Sequence, residues 1–130
     1  MNGTLAILLL LTIVMWSQAF PDGKYSQEIG KTLCIQTNWF FHEYIYIKET
    51  VKCRGQSVTS PAMVGTGTNP YTIDSSSKKD YGAFFNKVYK ECGLKPNLYS
   101  DMYKFSYDKE DNTLTSTFQG EKETLKPGTC

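Results

Sequence analysis

One histidine, His42, is all that this chain of 130 residues offers for proton transfer near neutral pH, where histidine is the commonest general acid or base. A two-histidine ribonuclease, or a Ser-His-Asp or Cys-His arrangement, would have to rest on His42 alone. Its neighbours Trp39, Phe40 and Phe41 suit instead a turn histidine with a partly exposed ring. Excess charge is equally scarce. The 14 Lys and Arg against 13 Asp and Glu leave a net +1, too weak a field to gather nucleic acid or an anionic membrane. Beyond residue 19 no stretch has the ~20 apolar residues that a membrane-crossing helix needs. Nor does any Asn there open an N-x-S/T glycan acceptor, Asn2 with Thr4 being the one match.

What is present starts with an unbroken apolar run from Leu5 to Trp16, followed by small residues at Ser17 and Ala19. This has the length of a signal-peptide core and the spacing that signal peptidase reads, which predicts cleavage between Ala19 and Phe20. The segment before the run carries no Lys or Arg, so only the terminal amine supplies positive charge there. Residues 1–19 are then a signal peptide, and residues 20–130 a single secreted domain that holds every charged side chain. A domain of this size buries roughly two thirds of its unfolded surface. Four cysteines, Cys34, Cys53, Cys92 and Cys130, stand at intervals of 19, 39 and 38 residues. A zinc site would want close pairs such as C-x2-C, whereas an even number in a secreted chain implies two disulfides. Three pairings are possible and spacing chooses none of them. A cysteine as the last residue ties down a tail that would otherwise fray.

Residues 20–31 read as a polar lead-in. From Tyr44 onward Ile45, Ile47, Val51 and Cys53 share one side of a period-two pattern, with Tyr44, Tyr46, Lys48, Thr50 and Lys52 on the other, a strand with one buried face. Leu33, Ile35, Trp39 and Phe41 alternate in the same way, so a turn is expected between Phe41 and Glu43. Residues 54–76 are rich in Gly, Ser, Thr and Pro and read as a long loop, with room for a short edge strand near Gln56–Thr59. Ser77 and Asp80 then resemble a capping box. Tyr81, Phe84, Phe85, Val88, Tyr89 and Cys92 follow as a helical stripe, with Gly93 placed as a left-handed C-cap. After the helix, alternation through Phe105 and Tyr107, the charged turn Asp108–Asn112, and TLTSTFQ at residues 113–119 predict a β-hairpin. The fold class expected is α+β: a small antiparallel sheet of about four to five strands with one amphipathic helix packed on it and two disulfides.

Chemistry is thin. Glu43, Glu49, Asp101 and Glu110 are available for a glycosidase-like carboxylate pair, but no spacing sets two of them opposite each other, and all read as solvated surface. Asp108, Glu110 and Asn112 begin like a calcium loop, yet Thr113 and Gln119 stand where a glycine and a glutamate are required, so no EF-hand forms. Gln56–Ser60 resembles the Q-x-V-x-G hairpin of cystatins, secreted inhibitors with a helix on an antiparallel sheet. Ser60 replaces the glycine, and the helix comes after the segment instead of before it, so five residues of likeness imply no membership. No cofactor motif is found and no metal is expected.

Aromatic residues make 14% of the chain, and tyrosine offers a large rigid surface at little entropic cost. Tyr44, Tyr46, Tyr99, Tyr103 and Tyr107 are the candidate binding residues, expected to line one sheet face. The chain is read as a non-enzymatic, extracellular binding protein whose partner is another protein, met by that face and the loop from Arg54 to Ser76. The alternative is a carrier of a small apolar ligand, by analogy with lipocalin-type barrels, although no G-x-W opening is present. A small hydrolase stands third.

Overall fold

The computed structural model describes residues 20–130; the segment read as a signal peptide lies outside the described residues. Its strongest local signal, the aromatic and β-branched run after Thr32, forms a long hairpin of β2 (Leu33–His42) and β3 (Tyr44–Cys53). The register is unbroken from His42↔Tyr44 to Leu33↔Cys53, and Glu43 makes the turn with φ 64°. Side chains alternate as the pattern requires: Ile35, Trp39, Ile47 and Val51 are buried on one face.

The rest of the chain corrects the expected fold class. The polar lead-in is β1 (Gly23–Ile29), paired along β2. The long loop contains three strands, β4 (Gln56–Thr59), β5 (Met63–Thr66) and β6 (Tyr71–Ile73). The expected hairpin is β7 (Lys104–Asp108) with β8 (Thr113–Phe118), and the tail adds β9 (Glu121–Pro127). Neighbours run β2-β1-β9-β8-β7-β6-β5-β3, and β3 pairs back onto β2. Eight antiparallel strands therefore close into a barrel, where an open sheet of four to five was expected. Closure leaves none of those eight as an edge, and an eight-stranded barrel is just wide enough for its own side chains or one small ligand. β6 is three residues long and β5 contains Gly65, so neither has enough alternation to announce itself.

β3 is shared between two partners. Its first half, Ile45–Ile47, pairs with β5, and its second half, Thr50–Cys53, pairs with β4, which lies outside the ring. Glu49 sits at this fork. Ser60 takes its backbone there, with the Glu49 N–H donating to Ser60 Oγ at 2.8 Å and the Ser60 N–H donating to the Glu49 carbonyl at 2.8 Å.

Helix α1 spans Lys78–Cys92 and ends on Gly93, whose φ of 70° and N–H to the Tyr89 carbonyl make the expected left-handed cap. The capping box does not form. Ser77 gives α1 no side-chain cap; its Oγ accepts from the Val64 N–H at 2.9 Å instead, tying the helix start to β5. Tyr81, Phe84, Phe85 and Val88 of the stripe enter the core, while Tyr89 stays half exposed. Disulfides join Cys53 to Cys92 and Cys34 to Cys130. The first fastens α1 to the end of β3, and the second fastens the chain end to β2.

Candidate functional site

Large side chains fill the centre of the molecule. Tyr25, Trp39, Met63, Tyr81, Phe85, Met102, Phe105 and Phe118 are each essentially inaccessible, and the Trp39 ring meets Phe105 edge-on at 5.3 Å and Tyr71 at 5.5 Å. Two places break the rule that apolar groups go inside and polar groups stay out.

The first is the tip of the β2–β3 hairpin. Phe41 and Tyr44 are 65% and 60% exposed, and Phe20 and Phe40 are exposed with them. Phe40 and Tyr46 face each other across the register and stack at 5.3 Å, and Phe20 lies 6.4 Å from Phe41. His42 is exposed at the turn. Beside the tip, Tyr44 and Tyr46 form one wall of a groove of about 380 Å³ whose other wall carries Val64, Thr66, Asp74 and Ser76. Asp74 accepts from the Ser76 hydroxyl at 2.6 Å and from its N–H at 3.1 Å. Those bonds hold its carboxyl below the usual carboxylate range, so the groove keeps a negative charge.

The second is Glu49. Alternation along β3 places it between Ile47 and Val51 on the inward face, where it is 0% exposed. Neither carboxylate oxygen has a hydrogen-bond partner. Burial, and secondly the charge of Asp101, push its carboxyl well above the ordinary range. Asp101 is equally buried but fully served: its carboxylate accepts from the N–H groups of Asn97 and Gln119, each at 2.9 Å, and from Gln119 Nε2 at 3.3 Å. The reading of Glu49 and Asp101 as solvated surface is thus corrected. Period two alone would have placed Glu49 with Ile47 and Val51; its charge argued it onto the wrong face.

The five candidate tyrosines do not share one face. Tyr44 and Tyr46 stand at the hairpin tip. Tyr99, 56% exposed, and half-buried Tyr103 stack around Tyr81 on the helix side, with ring separations of 5.9 Å and 5.0 Å to Tyr81. Tyr107 is buried in the wall, its hydroxyl donating to Asn112 Oδ1 at 2.8 Å, and burial pushes its phenol up to about 12. Its backbone is held by the side chain of Asn69 through bonds of 2.8 Å and 2.9 Å, so it is a structural residue of β7. Phe41, expected on the buried side with Leu33, Ile35 and Trp39, is exposed instead and with Phe40 completes the tip; a hairpin that outruns its barrel leaves its last apolar residues uncovered.

Comparison with protein families, curated proteins and solved structures finds no match to this chain. The fold itself is therefore the guide: a closed barrel fastened by two disulfides, an architecture compatible with a small binding or carrier protein. Among the described residues no helix is long and apolar enough to cross a membrane.

Proposed function

We propose that this is a secreted, non-catalytic binding protein that engages an extracellular protein through the aromatic tip of the β2–β3 hairpin and the groove beside it. The observation that carries the reading is the exposed set Phe20, Phe40, Phe41 and Tyr44, gathered at one end of the molecule, with Tyr89 and Tyr99 the other exposed aromatics, on the helix side. Contiguous exposed apolar patches of this kind mark interaction sites, and aromatic side chains dominate the energetics of protein interfaces. Four cysteines all in disulfides fit an oxidising extracellular setting. Catalysis is disfavoured because His42 is exposed at the hairpin tip while the carboxylates Glu49 and Asp101 are buried inside, so the one histidine and these acids do not share a cleft.

The test is affinity capture from extracellular fluid of the source tissue, with Phe41→Ser/Tyr44→Ser compared against Tyr89→Ser/Leu98→Ser. The second variant alters exposed apolar residues lining the groove between α1 and Pro96. A partner retained by the second variant and lost by the first is the expected result. Equal capture by both would sink the tip as the contact surface.

A second reading, a carrier of a small ligand inside the barrel, is favoured by the closed fold and by the unpartnered carboxylate of Glu49.

A further inference from the structure

We propose that the barrel interior beside Glu49 is a binding site for a small organic cation carrying a primary ammonium group. The inference rests on the carrier reading and names the chemical class of its ligand. It starts from hydrogen-bond bookkeeping. Both Glu49 oxygens are buried with no donor in reach, a condition that folded proteins rarely tolerate without a functional reason.

The neighbours do not supply the missing donor, and most of their donors are committed elsewhere. The Tyr81 hydroxyl donates to the Asp101 carbonyl at 2.6 Å and accepts from the Tyr99 N–H at 3.1 Å. Thr37, directly across the β2–β3 register from Glu49, accepts from Trp39 Nε1 at 2.8 Å, and its own hydroxyl makes no bond to Glu49. The Ser60 hydroxyl, which serves the backbone of Glu49, donates to the Pro61 carbonyl. The backbone N–H groups of Asn97 and Gln119 go to Asp101, and the Gln119 side-chain amide divides between the Lys95 carbonyl at 2.8 Å and Asp101 at 3.3 Å. The charged groups facing Glu49 are thus Asp101 from the segment after α1 and, as a titratable neighbour, Tyr81 from α1. No Lys, Arg or His is buried among the described residues.

The interior therefore holds two acids and no base. One positive charge from outside would complete it. A bare divalent ion fits poorly, since calcium wants about six to eight oxygens and no three His, Cys, Asp or Glu gather among the described residues. An ammonium group supplies three donors and one charge, and the surrounding rings favour it, since aromatic faces attract cations. The route is visible in the tyrosines. Tyr99 lies at the surface, Tyr103 is half buried, and Tyr81 is fully buried, with 5.5 Å between Tyr99 and Tyr103 and 5.0 Å between Tyr103 and Tyr81. The chain's own Lys78 ammonium already sits 5.2 Å over the Tyr99 ring. Tyr99 and Tyr103 belong to the segment between α1 and β7, outside its strands, and Tyr81 to α1, so a swing of the exposed Tyr99 ring leaves every strand pairing intact. Burial favours the protonated form of Glu49, so an ammonium bound beside it should draw that proton off to solvent.

The test is calorimetric titration of the oxidised protein with a series of primary ammonium ions, from methylammonium to 2-phenylethylammonium. Each is paired with the alcohol of the same skeleton, and amide resonances are followed in parallel. The expected result is an ammonium that binds roughly ten- to a hundredfold tighter than its alcohol, the worth of a charged hydrogen bond. It should release a proton on binding, shift the amides of Thr37, Glu49 and Asp101, and lose its preference over the alcohol in Glu49→Gln. Equal binding of ammonium and alcohol with the same shifts would overturn the cation and leave the carrier standing. Absence of interior shifts with every probe would overturn both. The ammonium-alcohol comparison on the unmodified chain decides the matter even where Glu49→Gln fails to fold.

Discussion

The two ends of one hairpin obey opposite rules. At its tip, β2 and β3 leave Phe40, Phe41 and Tyr44 in water; toward its base the same strands bury Thr37 and Glu49 completely. The difference lies in what surrounds each end. The base is clasped by β1, β4 and α1 and by both disulfides, whose Cys34 and Cys53 stand at the start of β2 and the end of β3. The tip outruns its neighbours. Burial in this molecule thus follows position in the barrel before it follows side-chain polarity, and the residues that suffer for it are the ones free to serve a partner or a ligand.

The largest effect should come from loosening the base. Replacing Cys34 and Cys130 by alanine opens a loop of 96 residues and replacing Cys53 and Cys92 opens one of 39, for expected losses of about 5 and about 4 kcal/mol on chain-entropy grounds, read from urea midpoints. Next is Trp39→Ala, at the boundary between the two ends, with an expected loss of about 3–5 kcal/mol by the same measurement. Survival of either change at full stability would mean that the clasp does not hold the base.

Glu49 gives a gain. Glu49→Leu removes a buried group with no partner and should add about 1–3 kcal/mol at neutral pH. The pH dependence sharpens this. A carboxyl raised above its unfolded value of 4.5 is protonated more readily in the folded state, so its stabilising contribution is full below that value. It is lost as pH climbs through the folded value, at up to about 1.4 kcal/mol per pH unit. Glu49→Gln should flatten that slope in unfolding curves collected from acid to neutral pH; an unchanged slope would mean that Glu49 is already paired. The smallest effect belongs to the tip. Phe41→Ser and Tyr44→Ser should move stability by no more than about 0.5 kcal/mol in scanning calorimetry, while abolishing partner capture.

Helix α1 was legible down to its left-handed cap, because a stripe at 3.6 spacing and a following glycine are local signals. The β2–β3 and β7–β8 hairpins were legible for the same reason. β1, β5, β6 and β9 were not: they are short or polar, and they become strands only because a neighbour on each side offers hydrogen bonds. The candidate tyrosines divided accordingly. Tyr44 and Tyr46 were recognisable as outward-facing, whereas Tyr107, identical in pattern, was drawn into the wall by barrel closure.

By itself the amino-acid order determined the disulfide count, the helix, the two strongest hairpins and the inward alternation of Ile45, Ile47 and Val51, since each depends on residues a few positions apart. Only the tertiary structure decided that β3 closes onto β2 and β5, which cysteines meet, and that Glu49 is sealed without a partner while Phe41 is left bare. Those outcomes depend on which distant segments arrive beside each residue, and no local periodicity carries that information.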